Sequence, residues 1–433
     1  MKKRRWQGQM TAELLKNYSK REPMCRHFLT CGGCSFQDFE YKDQLEVKAK
    51  KVGELFDGCG ICHTEILHWR DSAPSIFGGE FKEWGYRTRM DLVVGKAGIG
   101  LRKKRRFDEI EFLQECWLID NNVLQFLKEV YQKGIEVGLI PYDLVTHEGE
   151  WRYLSVRINE KNELMLIFVT KRGVENKISK LKTQISKSQL TTQNFSVKSI
   201  YHVVNDGLGD SNFGEIKKYW GEEYLQYSIC NIQYAIGPNT FFQNNIPLVN
   251  KLVDKIVDNV DEDDRVLDLY CGVGTLSLPV AKKCREVLGV ELMEESIGLA
   301  RKNAVNNNID NVEFEAKSVE DIFDGNSKFK AQNSKPQLKT QKPNLNEYNV
   351  LMLDPPRKGL EKVAGKLLEY DFDKIVYMSC NPLSLVKDLQ VLVRKWQIEE
   401  VSLWDLYPQT PHVEVLVLLR NKKQETRNKK QVL

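Results

Sequence analysis

Nowhere in the 433 residues is there a run approaching the roughly 18–20 consecutive apolar residues that cross a bilayer. The start, MKKRRWQGQM, is basic, yet no apolar stretch follows it, so a secretory leader is not expected. Net charge is nearly absent as well: 64 Lys and Arg stand against 60 Asp and Glu, a balance of +4. That excludes a histone-like polycation, and any contact with nucleic acid has to come from local patches. No internal repeat is present. These absences set aside membrane proteins and secreted disulfide scaffolds, and they point to a cytoplasmic chain.

What is present suffices for more than one folded core. Hydrophobic residues make up 41% and charged residues 29%, with a mean hydropathy of -0.45. The length asks for two or three domains. Ten cysteines fall at 25, 31, 34, 59, 62, 116, 230, 271, 284 and 380. In a reducing compartment such thiols serve metals or catalysis more often than disulfides.

The pattern divides the chain. Residues 1–24 read as a basic tail or loose helix, and 25–74 as a cysteine-rich region. From 75 to 235 come short β-type runs such as Arg89–Val94 and Tyr153–Ile158, separated by Asn/Gly turns, which predict a β-rich module. From 236 to 420 strands and helices alternate: Arg265–Tyr270, Leu276–Lys283, Val287–Glu291, Glu294–Asn306. That order predicts βαβ units and a doubly wound, Rossmann-like α/β domain. Within it, 325–346 is a polar insertion expected to be disordered, and 421–433 is a second basic tail.

Asp268-Leu-Tyr-Cys-Gly-Val-Gly-Thr275 sits between a strand and a helix. Its glycines permit a tight turn and close approach of a ligand to the backbone. Glu291 closes the next strand, where a carboxylate can accept from both ribose hydroxyls of a nucleoside. The full G-x-G-x-x-G of a pyrophosphate site is missing, as is G-K-[ST]. A cofactor without phosphates, S-adenosylmethionine, fits better than NAD or ATP. Downstream, Val350-Leu-Met-Leu-Asp354-Pro-Pro-Arg-Lys-Gly359 and Ile375-Val-Tyr-Met-Ser-Cys380-Asn-Pro382 are apolar strands ending in Asp354 and Cys380. In a doubly wound sheet the ligand lies beyond the carboxyl ends of the strands, so Glu291, Asp354 and Cys380 should gather at one crevice. Cys380 is a candidate nucleophile, although buried structural thiols are common. Glu414, in Tyr407-Pro-Gln-Thr-Pro-His-Val-Glu414, is a candidate base. A methyl donor, a thiol and a base together suit methylation at an unreactive sp² carbon such as C5 of a pyrimidine.

In combination and order, DLYCGVGT, LDPPRKGL, SCNP and PQTPHVE resemble the RNA uracil-5-methyltransferase family over about residues 25–420. The resemblance implies that Cys380 is the nucleophile and Glu414 the proton-abstracting base. It implies cofactor contacts at Gln243, Tyr270, Glu291 and Asp354. Two cofactor-side positions that are often Asn in relatives are Thr275 and Ser318 here and are not assigned. The TRAM domain with which many bacterial relatives begin is expected to be missing, since only 24 residues precede the first cysteine.

Cys25, Cys31 and Cys34 form a compact set that needs a fourth ligand, for which Cys116 is the best remote candidate. Spacing alone leaves zinc and iron–sulfur equally open; the resemblance implies a [4Fe-4S] cluster. Cys59-Gly-Ile-Cys-His63 matches the c-type haem pattern, but without an export route ordinary thiols or a second metal site are expected. The basic runs Lys2–Trp6 and Arg102–Phe107, with Trp84, Tyr86, Arg87 and Arg89, offer phosphate contacts and stacking surfaces for folded RNA. The expectation is thus a monomeric RNA methyltransferase. Its target would be 23S rRNA or the tRNA T-loop uridine 54, with rRNA slightly preferred. A pyrimidine methylase of DNA or free nucleotide, and a vestigial RNA-binding assembly factor, are the alternatives.

Overall fold

The computed structural model describes residues 3–61, 82–187, 195–324 and 344–423. Cys62, His63, most of the polar insertion and most of the basic C-terminal tail lie outside them. Two helices come first, α1 (Lys3–Asn17) and α2 (Tyr41–Gly58). A seven-stranded sheet follows, built from β1 (Arg89–Gly95), β2 (Gly98–Lys103), β3 (Arg106–Phe112), β4 (Trp151–Ile158), β5 (Glu163–Thr170), β6 (Ser196–Val204) and β7 (Glu215–Gly221). Its order is β3-β2-β1-β4-β5-β6-β7. All neighbours are antiparallel except β5 and β6. Helices α3 (Asn121–Glu136) and α4 (Glu175–Lys187) cross over on one face. Asp120 starts α3 by accepting from the Asn122 N–H at 2.8 Å. A hairpin, β8 (Leu225–Ile229) and β9 (Ile232–Ile236), leads into the second domain.

That domain comprises α5 (Ile246–Asp258), β10 (Arg265–Leu269), α6 (Ser277–Ala281), β11 (Glu286–Glu291), α7 (Glu294–Asn306), β12 (Val312–Ala316), α8 (Val319–Asp324), β13 (Val350–Leu353), α9 (Val363–Leu367), β14 (Lys374–Ser379), α10 (Pro382–Leu392), β15 (Trp396–Trp404) and β16 (Glu414–Asn421). Its sheet order is β12-β11-β10-β13-β14-β16-β15. Five parallel strands are closed by the antiparallel pair β16 and β15. Val350-Leu-Met-Leu353 is buried throughout, as a strand covered on both faces must be. Alternation sorts the side chains. Val266, Met352, Met378 and Leu416 point to one face, into a core shared with β8, β9, α5, α7 and the first sheet. Leu267, Leu351, Tyr377 and Val417 point to the other, against α1, α2 and α10.

The N-terminus differs from its expected form. Residues 3–17 are not a solvated tail: Trp6, Met10 and Leu14, spaced four apart, are buried against α2 and the second sheet.

Candidate active site

The DLYCGVGT motif forms the turn after β10. Tyr270 (φ 67°), Gly272 (φ 55°) and Gly274 (φ 82°) all occupy the left-handed region, which a non-glycine residue enters only when its surroundings impose it. Here the N–H groups of Tyr270 and Cys271 both donate to the Val290 carbonyl, at 2.8 and 3.1 Å. The turn is thereby stitched to β11 one residue before Glu291, whose Oε1 accepts from the Met293 N–H at 3.0 Å. Burial raises the Tyr270 hydroxyl above its usual range. Asp268 is buried under the turn. Its Oδ2 accepts from Ser277 Oγ at 2.5 Å, while its Oδ1 has no partner among the described residues. Burial, helped by the Glu291 charge, lifts this carboxyl to about 7.

By the alternation just described, Asp268, Glu291, Asp354, Cys380 and Glu414 fall on one face at the carboxyl end of the sheet. Strands β14 and β16 run antiparallel with Ser379 opposite Val415. One step further in that register sets Cys380 opposite Glu414, where directly paired side chains stand ~5 Å apart. Electrostatics agrees with this convergence. The Cys380 thiol is pushed up to about 12 by burial and by the charges of Glu414 and Asp354, against which Arg357 pulls it down. Burial raises Glu414 to about 8, with Arg357 again opposing. The half-buried Asp354 lies well above the carboxylate range through burial and the fields of Glu414, Asp268 and Glu291. Glu414 is 3% exposed, and its Oε2 has no partner among the described residues. Gln243 also buries an unpartnered Oε1. Its carbonyl accepts from Thr88 Oγ1 at 3.3 Å, and Phe242 beside it joins the core of Met378 and Leu416.

Two further residues of this cluster carry no role in the sequence pattern. Asp268 opens the glycine motif, where the pattern marks it only as part of the turn. Arg357, inside Asp-Pro-Pro-Arg, is the cation whose charge acts on both Cys380 and Glu414. Its carbonyl accepts from Asn381 Nδ2 at 2.7 Å and Ser384 Oγ at 3.2 Å, which ties it to the segment after Cys380.

Cys25, Cys31, Cys34 and Cys116 are all buried and carry no disulfide. Burial raises Cys25 to about 11 and Cys34 to about 12 and lifts Cys116, and each feels the charge of Cys31. The His27 N–H points at Cys25, and those of Leu118 and Ile119 at Cys116. Among the described residues, however, no three His, Cys, Asp or Glu side chains converge as a single metal ion requires. Cys59 is half-buried beside α10, its carbonyl accepting from Gln390.

The basic patches change meaning. Trp6 and Tyr86 are core residues. Arg87 is half-buried, its Nε enclosed, beside Tyr86, Cys34 and Cys116. Arg102 is bound to Asp210, Lys103 to Glu109, and Arg106 to Asp108 and Glu109. Of the aromatics singled out, Phe107 is the one displayed to solvent.

The fold and site define a methyltransferase of the S-adenosylmethionine-dependent kind. The sequence model of the tRNA (uracil-5-)-methyltransferase family matches residues 151–422. A tRNA (uracil(54)-C(5))-methyltransferase of Pyrococcus abyssi is 30% identical, covering 92% of this chain and 85% of that one. An uncharacterized RNA methyltransferase of Clostridium acetobutylicum is 33% identical, covering 93% and 84%. The crystal structure of the P. abyssi enzyme in complex with S-adenosyl-L-homocysteine superposes with a TM-score of 0.68 at 29% identity, covering 90% of this chain and 86% of that one. The chain belongs to the tRNA (uracil-5-)-methyltransferase family. Its reaction is methyl transfer from S-adenosylmethionine to C5 of a uracil in RNA. Among the described residues no helix is long and apolar enough to cross a membrane.

Proposed function

We propose that this enzyme methylates one uridine of a folded RNA through a covalent bond between Cys380 and uracil C6. The observation that carries the reading is the juxtaposition of Cys380 and Glu414 at facing strand ends, on the same face as Asp268, Glu291 and Asp354. Glu291 and Tyr270 would hold the ribose and adenine side of S-adenosylmethionine. The unpartnered oxygens of Asp268 and Gln243 are acceptors for hydrogen-bond donors of cofactor or uracil, and Asp354 stands between the two. The bound cofactor supplies an electrophilic methyl group.

The chain's own groups do the rest. The target base must be turned out of the RNA to reach the buried rim. Cys380 sulfur bonds to C6, and the C5=C6 electron pair moves to C5 as an enolate, which takes the methyl. Glu414 then removes the C5 proton, the electrons restore C5=C6, and the S–C6 bond breaks to release the thiolate. A base near 8 is matched to this proton at neutral pH. A thiol near 12 is mostly protonated before substrate arrives, so it gives its proton up to solvent as sulfur bonds to uracil C6, and Glu414, in its ionised form, is kept for the later C5 proton.

The four buried cysteines, Cys25, Cys31, Cys34 and Cys116, are the residues that would hold a [4Fe-4S] cluster, which the family resemblance favours over zinc. Backbone N–H groups aimed at Cys25 and Cys116 suit thiolate ligands. The cluster would cross-link segments 25–34 and 113–118.

The target is a uridine of 23S rRNA or of the tRNA T-loop; the two Pyrococcus relatives with a named target act on tRNA uracil 54. Mapping 5-methyluridine in both RNAs of a deletion strain decides. Loss at one uridine, restored by the wild-type gene and not by Cys380→Ala, is the expected result. Unchanged methylation in every RNA would refute the proposal.

A further inference from the structure

The loop 405–413 joins β15 to β16 and ends on Glu414. Leu406 and Val413 anchor it in the two cores, and most of its hydrogen bonds to the rest of the chain come from the N-terminal cysteine-bearing segment and α2, with Glu83 and Tyr86 adding one each. Lys48 Nζ of α2 binds Asp405 Oδ1 at 2.7 Å, both side chains being 0% exposed. Tyr41 donates to the other Asp405 oxygen at 2.9 Å. Gln44 Nε2 contacts Gln409 Oε1 at 2.9 Å, and also the carbonyls of Phe36 and Phe39 at 2.9 and 3.1 Å. The N–H groups of Ser35 and Phe36, directly after Cys34, donate to the Gln409 carbonyl at 2.8 and 3.1 Å. Tyr86 donates to the Pro408 carbonyl at 3.1 Å.

We infer that the segment carrying Cys25, Cys31 and Cys34 is a clamp that positions the catalytic base, with Gln44 and Lys48 as its positioning residues. The inference rests on the reading of Glu414 as that base. Three features carry it beyond ordinary domain packing. Gln409 is held in the left-handed region at φ 65°, with both its side chain and its carbonyl engaged. Within the loop itself the hydrogen bonds are few: Thr410 Oγ1 to the Tyr407 carbonyl at 2.7 Å and the His412 N–H to Thr410 Oγ1 at 3.3 Å. Glu414 Oε2 has no partner among the described residues, so that oxygen is positioned by the backbone and not by a hydrogen bond of its own. Glu414 is the first residue of β16, paired with Trp404, so a shift of the clamp acts on the base at the end of the ladder, where the loop enters it. Burying Lys48 and Asp405 together is costly unless both are kept paired, and here the pair fixes the first loop residue. Distortion of the four-cysteine site, through Cys34 to Ser35 and Phe36, reaches Gln409 along the backbone.

Proton removal is the last chemical step, so a loosened clamp should stall the enzyme after methyl transfer. Gln44→Met keeps the length and burial of the side chain and removes its three contacts. It is expected to lower kcat about ten- to hundredfold, as small misplacements do. KM for RNA and the affinity for S-adenosylhomocysteine should stay near wild type. Methyl label should accumulate on the protein with ordinary uridine RNA, as a denaturation-resistant adduct at Cys380. A second test pairs Lys48→Gln, which strands Asp405, with Lys48→Gln/Asp405→Asn, which restores a side-chain hydrogen bond without charge. The double variant should recover turnover that the single one loses.

Glu414→Gln is the control. If it shows no adduct, the reading of the base fails and the clamp with it. If it shows the adduct while Gln44→Met turns over normally, or loses turnover without adduct, the clamp alone is overturned.

Discussion

Glu414→Gln should make the free enzyme more stable at alkaline pH while crippling it. The buried carboxyl holds its proton up to about 8, against an ordinary value of 4.5. Between those values the unfolded chain has released this proton and the native chain has not. The native state therefore binds more protons, and wild-type stability falls as pH rises through the window. Each pH unit is worth about 1.4 kcal/mol. The interval from 4.5 to about 8 therefore amounts to about 5 kcal/mol at most. Glutamine has nearly the same shape and no charge to bury. The stability difference between variant and wild type should be smallest near pH 4.5, grow toward pH 8 and level off above it. Asp268 remains in both proteins, so its own titration largely cancels. Urea unfolding of both proteins from pH 5 to 9 measures this directly. Parallel stability curves would mean that Glu414 is not a desolvated carboxyl, and the argument for a base tuned to neutral pH would fall.

Further outcomes follow from the same geometry. On the reading of Glu414 as the base, which must be ionised to take the proton, single-turnover release of methylated RNA should rise with pH through about 8 and flatten beyond it; a flat profile from pH 6 to 9 would contradict this. Glu291→Ala should weaken S-adenosylhomocysteine binding about tenfold or more by calorimetry, the loss of hydrogen bonds to a charged acceptor, while leaving RNA binding near wild type. Protein purified without oxygen should be brown, with broad absorption near ~400 nm. Serine at Cys25, Cys31, Cys34 or Cys116 should each remove the colour and serine at Cys59 should not; zinc without iron on elemental analysis would overturn the cluster.

Much of the second domain's fold was legible because its signals are local. An apolar run followed by Asp-Pro-Pro or Cys-Asn-Pro ends a buried parallel strand, and all such ends meet at one edge. Glu294–Asn306 is a helix with the bounds its pattern gave, and Glu291 closes β11. What stayed hidden depends on partners distant in sequence. Arg102 reads as a phosphate contact from its basic run, yet Asp210, 108 residues on, pairs with it, and Arg87 lies half-buried beside Cys34 and Cys116. The parallel pairing of β5 and β6 needs a crossover through α4, which short β-type runs do not announce. The buried stripe Trp6, Met10, Leu14 was present as helical spacing, but the basic residues around it masked the period. The tie from Lys48 to Asp405 spans most of the chain and has no local signature at all.

Covalent catalysis by Cys380 is tested most directly by RNA carrying 5-fluorouridine at the target position. Fluorine on C5 leaves no proton for Glu414 to remove, so the reaction should halt with methylated RNA bonded to sulfur. Mass spectrometry of the digested complex should find one nucleotide plus one methyl group on the peptide that contains Cys380, and nothing on the Cys380→Ala protein. An unmodified Cys380 peptide, under conditions where ordinary RNA is fully methylated, would contradict the mechanism.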